Sequence, residues 1–175
     1  GVRLVGSEMC IRDRNYGLLL GGINVVYGLM LYILDMHYQQ ETATSMIGYA
    51  LLIGIIIWGI IKFKKSNDGY ISLSEALKTG VGTALVSAII ICIYTIVMIQ
   101  YLDPEFLDKS MEYQKQKILQ ENPEISLQSV NKMFDMQKEF SGPFIISGFI
   151  IILNLFFGFI LSLIVGLIVK KSKPE

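Results

Sequence analysis

Residues 144–169, FIISGFIIILNLFFGFILSLIVGLIV, run 26 positions without a charge and stop at Lys170-Lys171. At about 1.5 Å per residue this is enough helix to cross a hydrocarbon core of about 30 Å with some tilt. The stretch reads as a transmembrane helix. Asn154, Gly158, Ser162 and Gly166 recur every four residues, which places them along one helical face. Apolarity alone gives helices in lipid no reason to associate, whereas a ridge of small residues lets another backbone approach closely. This face is expected to pack on a neighbouring helix.

Three further spans supply neighbours. The chain of 175 residues is 53% hydrophobic and only 17% charged, against about 25% charged in a soluble domain. The deficit falls in four blocks, so residues 15–175 read as a single membrane domain. The expected fold class is all-α: a four-transmembrane-helix bundle, up-down-up-down, with an extramembrane helical hairpin between helices 3 and 4. The first span, 16–34, carries a GxxxG step at Gly17 and Gly21, and Asn24 falls at mid-membrane depth. A lone intramembrane Asn is more often interhelical glue than a ligand, and its natural partner here is Asn154. The second span, about 45–61, has a small-xxx-small pair at Ala50 and Gly54, with Trp58 near Lys62, Lys64 and Lys65, where an indole suits the headgroup boundary. The third, 79–102, repeats the pattern at Gly80, Ala84 and Ala88, with Ser87 beside them.

The connections are distinct in composition. Residues 35–46 hold no Lys or Arg, and they contain His37, the only histidine. Beside Asp35 and Glu41 it would need two or three more positioned ligands to hold a metal, so it reads as part of a solvated loop. Residues 62–78 are basic, turn at Asn67-Asp68-Gly69, and carry capping-box spacing at Ser72 and Glu75. Residues 103–143 are the one large extramembrane piece. Asp103 is a plausible N-cap, and Asn122-Pro123 divides two helices, 104–120 and 127–140. Leu127, Val130, Met133 and Phe134 share a face of the second, and Leu107, Met111 and Ile118 make a narrower stripe on the first. Neither face buries a core alone, so the helices are expected to pair or to lie on the bundle or bilayer. The eight acids, five lysines and the glutamines, Gln114 and Gln137 among them, read as a solvated face.

Residues 1–14 stand apart. Residues 4–13, LVGSEMCIRD, are what a common transposase sequencing adapter encodes in one frame (CTC GTG GGC TCG GAG ATG TGT ATA AGA GAC). Residues 1–14 are read as adapter sequence that replaces the native N-terminus, and are excluded from fold reasoning. The lysines then decide orientation. Lys62, Lys64, Lys65 and Lys78 lie on one side with Lys170, Lys171 and Lys173, and the 35–46 loop opposite has none. The positive-inside rule puts both termini in the cytoplasm and the 103–143 hairpin outside. Of the two cysteines, Cys10 falls in the adapter segment and Cys92 reads as a small packing residue within a span.

Residues 69–80, GYISLSEALKTG, together with Asp103-Pro104-Glu105-Phe106-Leu107, the helical hairpin and a glycine-bearing last span ending in Lys-Lys, resemble the bacterial membrane family called domain of unknown function 4199. Tyr16-Gly17 fits the start of that family. The resemblance covers about residues 16–171 and implies a four-helix inner-membrane protein, with no catalytic residues to carry over.

No span contains Asp, Glu, Lys, Arg or His. Ionisable residues inside membranes usually mark proton relays, ion paths or catalysis. HExxH, Walker A and GxGxxG are missing too, and no Pro interrupts a span. No catalytic, cofactor-binding or metal residues are assigned, and no nucleic acid is expected as a partner. Three functions stay open. One is a structural or accessory protein whose small-residue ridges and outer hairpin bind partners within the lipid bilayer. Another is a transporter or channel subunit that oligomerises, using Asn24, Asn154, Ser87 and Ser162. The last is an enzyme or lipid-modifying factor with its chemistry in the outer loop.

Overall fold

The computed structural model describes residues 2–39 and 42–171, the side chains of 2–14, 42, 43 and 45 excepted. Glu41, Lys173 and the Cys10 side chain lie outside the described residues. Six α-helices follow one another: α1 (Val2–Ile33), α2 (Thr42–Ser66), α3 (Leu73–Val97), α4 (Phe106–Glu121), α5 (Leu127–Glu139) and α6 (Pro143–Val169). Four are long and apolar enough to cross a membrane, through Asn15–Ile33, Met46–Ser66, Leu73–Leu102 and Pro143–Val169. The protein is an all-α, multi-pass membrane protein, with α4 and α5 as a hairpin between the last two spans.

Side-chain size sets how these helices meet. Along α3, Ala76, Gly80 and Ala84 face Gly166, Ser162 and Gly158 of α6 in antiparallel register. A Cβ built on Gly158 would lie 2.5 Å from the Ala84 Cβ, and one on Gly166 2.9 Å from the Ala76 Cβ. No larger residue fits without moving a backbone. On its other side α3 runs parallel to α1: Gly17 sits on Val86 and the Thr83 carbonyl, Gly21 on Ile90, and Gly28 on the Tyr94 ring. So α3 is the post against which the bundle is built, and α2 packs less closely. Ala50 and Gly54 are outward-facing, and nothing lies within 4 Å of a Cβ built on Gly54. That step of α2 joins no helix of this chain, which departs from the small-xxx-small expectation.

The large buried side chains gather at the lysine-bearing end. Leu20, Ile56, Ile60, Phe63, Ile71 and Val165 form a continuous apolar core there. Two hydrogen bonds join Ile71 to Lys171 and tie the α2–α3 turn to the end of α6, with the Lys171 ammonium over the Tyr70 ring. Asp68 and Gly69 make that turn with positive φ of 54° and 81°, a conformation Asp tolerates and Gly adopts freely. The third span then begins at Leu73, earlier than residue 79, because Ser72 and Glu75 close a full capping box.

At the opposite end α3 widens into a single π-helical turn, Met98–Leu102. Asp103 does not cap the next helix; Glu105 occupies that position and α4 starts at Phe106. In the hairpin Val130 and Phe134 are buried, whereas Leu127 and Met133 are exposed. The four do not act as one buried face.

Candidate functional site

The hairpin end carries the polar chemistry of the molecule. Asp35 (φ 56°) stops α1 and folds the following loop back across the bundle. The π-helical turn brings Asp103 to the same place, with its amide bonded to the Met98 carbonyl at 2.9 Å. There His37 Nε2 donates to Asp103 Oδ2 at 2.9 Å, and Lys109 Nζ reaches both carboxylate oxygens at 3.1 Å. The Glu105 amide donates to Oδ1 at 3.2 Å. The imidazole is enclosed by rings: Phe106 stacks on it, and Tyr32 and Tyr38 meet it edge-on. Side-chain exposure is only 7% for His37 and 9% for Asp103. His37 is thus a buried, paired residue and not part of a solvated loop. Its aromatic neighbours Tyr32 and Tyr38 were the available signal, but the partner lies 66 residues away.

The electrostatics of the pair follow from its neighbours. Burial pushes the Asp103 carboxyl up, but hydrogen bonds from His37, Lys109 and the Glu105 amide outweigh it and hold the pKa below the usual value. The Lys109 ammonium is shifted up, chiefly by its bond to Asp103. An ionised carboxylate only accepts, so the shared proton resides on His37 Nε2, and in the neutral ring Nδ1 is a bare acceptor. That Nδ1 is buried and has no hydrogen-bond partner among the described residues.

Open space lies around this pair and below it. A cavity of about 140 Å³ between α1 and α3 is lined by Gly28, Leu31, His37, Tyr94, Met98 and Phe106, with Thr95 and Ile99. Thr95, Ile99 and Phe106 also wall a chamber of about 420 Å³ beneath the hairpin, which Met111, Phe149, Gln114 and Gln137 help to line. Gln114 and Gln137 therefore face a chamber as well as solvent. Nearer mid-span, a cleft of about 300 Å³ is lined by residues from all four spans, including Asn24, Leu52, Ile91 and Asn154. The two asparagines face this one cleft without bonding each other. Asn24 donates to the Leu20 carbonyl at 2.8 Å and Asn154 to the Ile150 carbonyl at 2.9 Å.

Residues 15–171 match the family described as protein of unknown function (DUF4199). The chain belongs to that family. No curated protein and no solved structure matches it. In this DUF4199 protein the remaining packing residues divide cleanly. Ser162 donates to the Gly158 carbonyl, and Ala88 and Ser87 are buried in the bundle with Gly80 and Ala84. Thr79, Thr83 and Ser87 form a column on α3 whose hydroxyls are buried and have no hydrogen-bond partner among the described residues. Cys92 is buried and donates to the Ser147 carbonyl at 3.3 Å. Among the described residues no three His, Cys, Asp or Glu side chains converge on a metal position.

Proposed function

We propose that this DUF4199 protein is a non-enzymatic accessory protein of the bacterial inner membrane that acts through helix packing and partner binding. The outer hairpin is its contact surface. The observation that carries this reading is the uncovered face of α5. Val130 and Phe134 turn inward, whereas Met133 (42% exposed), Met136 (56% exposed) and, just past the helix end, Phe140 (63% exposed) stay open among the described residues. Flexible thioethers beside an aromatic ring suit a surface that adapts to another protein. Both termini are cytoplasmic and the hairpin is outside, because Lys62, Lys64, Lys65, Lys78, Lys170 and Lys171 gather at the other end. The partner is another membrane protein, and the mixed charge of the hairpin offers no basic stripe to nucleic acid.

Photo-crosslinking from position 136 in native membranes, followed by mass spectrometry, tests this. Reproducible capture of one other membrane protein supports the accessory role. Self-crosslinks alone, or none, overturn it.

A second reading, a small transporter or channel subunit completed by oligomerisation, rests on a different observation. Asn24 and Asn154 share one cleft, and the uncovered Ala50-xxx-Gly54 step gives α2 a face for a second copy. Self-crosslinks at fixed stoichiometry would favour this reading and justify flux assays.

A further inference from the structure

We infer that the cavity behind His37 is a binding site for a neutral aromatic ring bearing one hydroxyl, a phenol-type group whose O–H donates to His37 Nδ1. Four observations converge on this chemistry. In the neutral imidazole the unpartnered atom is an acceptor, because the bond to the Asp103 carboxylate takes the ring proton at Nε2. An acceptor calls for a donor and not for an anion. The rest of the wall offers no competing charge: Asp103 is taken by His37 and Lys109, and the Thr95 hydroxyl already donates to the Ile91 carbonyl at 2.8 Å. The Tyr94 hydroxyl contacts the Met98 sulfur. Size adds a third constraint. At about 140 Å³ the space is close to the apolar cavity of about 150 Å³ that accepts benzene in another protein. Lastly, Phe106 and Tyr94 line the wall with aromatic surface against which a flat ring packs well.

The ring has two sources, a small water-soluble phenol or the headgroup of a membrane-dissolved phenol with an alkyl tail. The shared walls at Thr95, Ile99 and Phe106 lead toward the larger chamber, whose apolar lining at Met111 and Phe149 would receive a tail.

His37 is the only histidine, so ¹⁵N-histidine labelling of the full chain in dodecyl maltoside reports this one ring. Titration with 4-methylphenol should move the Nδ1 resonance saturably. 4-Methylanisole has nearly the same shape but no donor, and should bind about tenfold or more weakly, as expected when a buried acceptor stays unpaired. 4-Nonylphenol tests the source. Affinity above that of 4-methylphenol, after correction for micelle partition, assigns the site to a tailed membrane phenol, and equal affinity assigns it to the free ring. Ile99→Trp fills the cavity but leaves both residues of the His37–Asp103 pair unsubstituted, and should abolish the response while the Nε2 resonance still reports the bond to Asp103. No saturable shift with either phenol, an equal response to the anisole, or an unchanged titration in Ile99→Trp with its Nε2 signal intact would each overturn the inference.

Discussion

Replacing Gly158 with Ala adds a single methyl where α6 crosses α3, and the structure states what that methyl meets. Its Cβ would lie 2.5 Å from the Ala84 Cβ, whereas carbon atoms rest about 3.5–4.0 Å apart. Ala84 has no rotamer to yield, so the helices must separate by about 1 Å. A gap of 0.5–1 Å forfeits roughly a quarter to a half of each contact well along the interface. Overpacking of this kind costs about 1–3 kcal/mol. Ala exceeds Gly in helix propensity by up to about 1 kcal/mol, so a loss in the upper half of that range leaves a net of about 1–2 kcal/mol. Ala84→Gly removes the opposing methyl, so the double variant should recover most of the loss, giving a coupling of about 1 kcal/mol in a double-mutant cycle. Gly148→Ala is the internal control, since nothing lies within 4 Å of its added Cβ, and its stability should not fall. Reversible unfolding in mixed micelles of dodecyl maltoside and sodium dodecyl sulfate measures the wild type and all four variants. Unchanged stability for Gly158→Ala, or a loss that Ala84→Gly fails to relieve, would refute the close-approach account of the α3–α6 interface.

Three further outcomes follow from the geometry. Asp103 has a lowered pKa when folded, so its stabilisation is present above the ordinary carboxylate pKa and is lost as pH falls through the folded value. Acid titration below about pH 4 should release the hairpin end, read by tyrosine fluorescence, and Asp103→Asn should flatten that limb of the pH profile. The Thr83 hydroxyl is buried without a partner, so the isosteric Thr83→Val should raise stability by about 1 kcal/mol in the same micelle assay, and a decrease would show that the hydroxyl is bonded. Ser72→Ala opens the capping box and should cost about 1 kcal/mol, visible as faster hydrogen exchange at the Glu75 amide, which donates to the Ser72 hydroxyl.

The spans were legible because each is an uncharged run of membrane-crossing length, and the smooth ridges of α3 and α6 because their small residues keep a strict four-residue step, though not that the two ridges meet. Faces were harder to read. Ala50 and Gly54 carry the same step as Gly158 and Ser162, yet they point outward, since spacing shows that a face is smooth and not which helix lies against it. Asn24 and Asn154 line one cleft, but each satisfies its amide on its own helix, an option open to any helical Asn. The His37–Asp103 pair was hidden for another reason. It joins two connections far apart in sequence, and a one-residue insertion in helical winding at Met98–Leu102 is what turns Asp103 inward.

The open and closed ends of the bundle follow from one change of side-chain size. Up to Ala88, α3 offers Ala76, Gly80 and Ala84 to the matching small residues of α6, and the backbones nearly touch. Beyond it Ile91 lines the mid-span cleft with Ile150 and Asn154, while Cys92 still reaches the Ser147 carbonyl of α6 at 3.3 Å. The π-helical turn then displaces the end of α3, a distortion that recurs at functional sites, and the hairpin roofs the gap. At the lysine end Ile56, Ile60 and Phe63 fill the axis with fully or nearly fully buried side chains. A solute that enters from the hairpin side therefore meets a closed apolar layer. Transport through a single copy would need that layer to part against the Ile71–Lys171 tie, whereas binding at the open end needs no such movement.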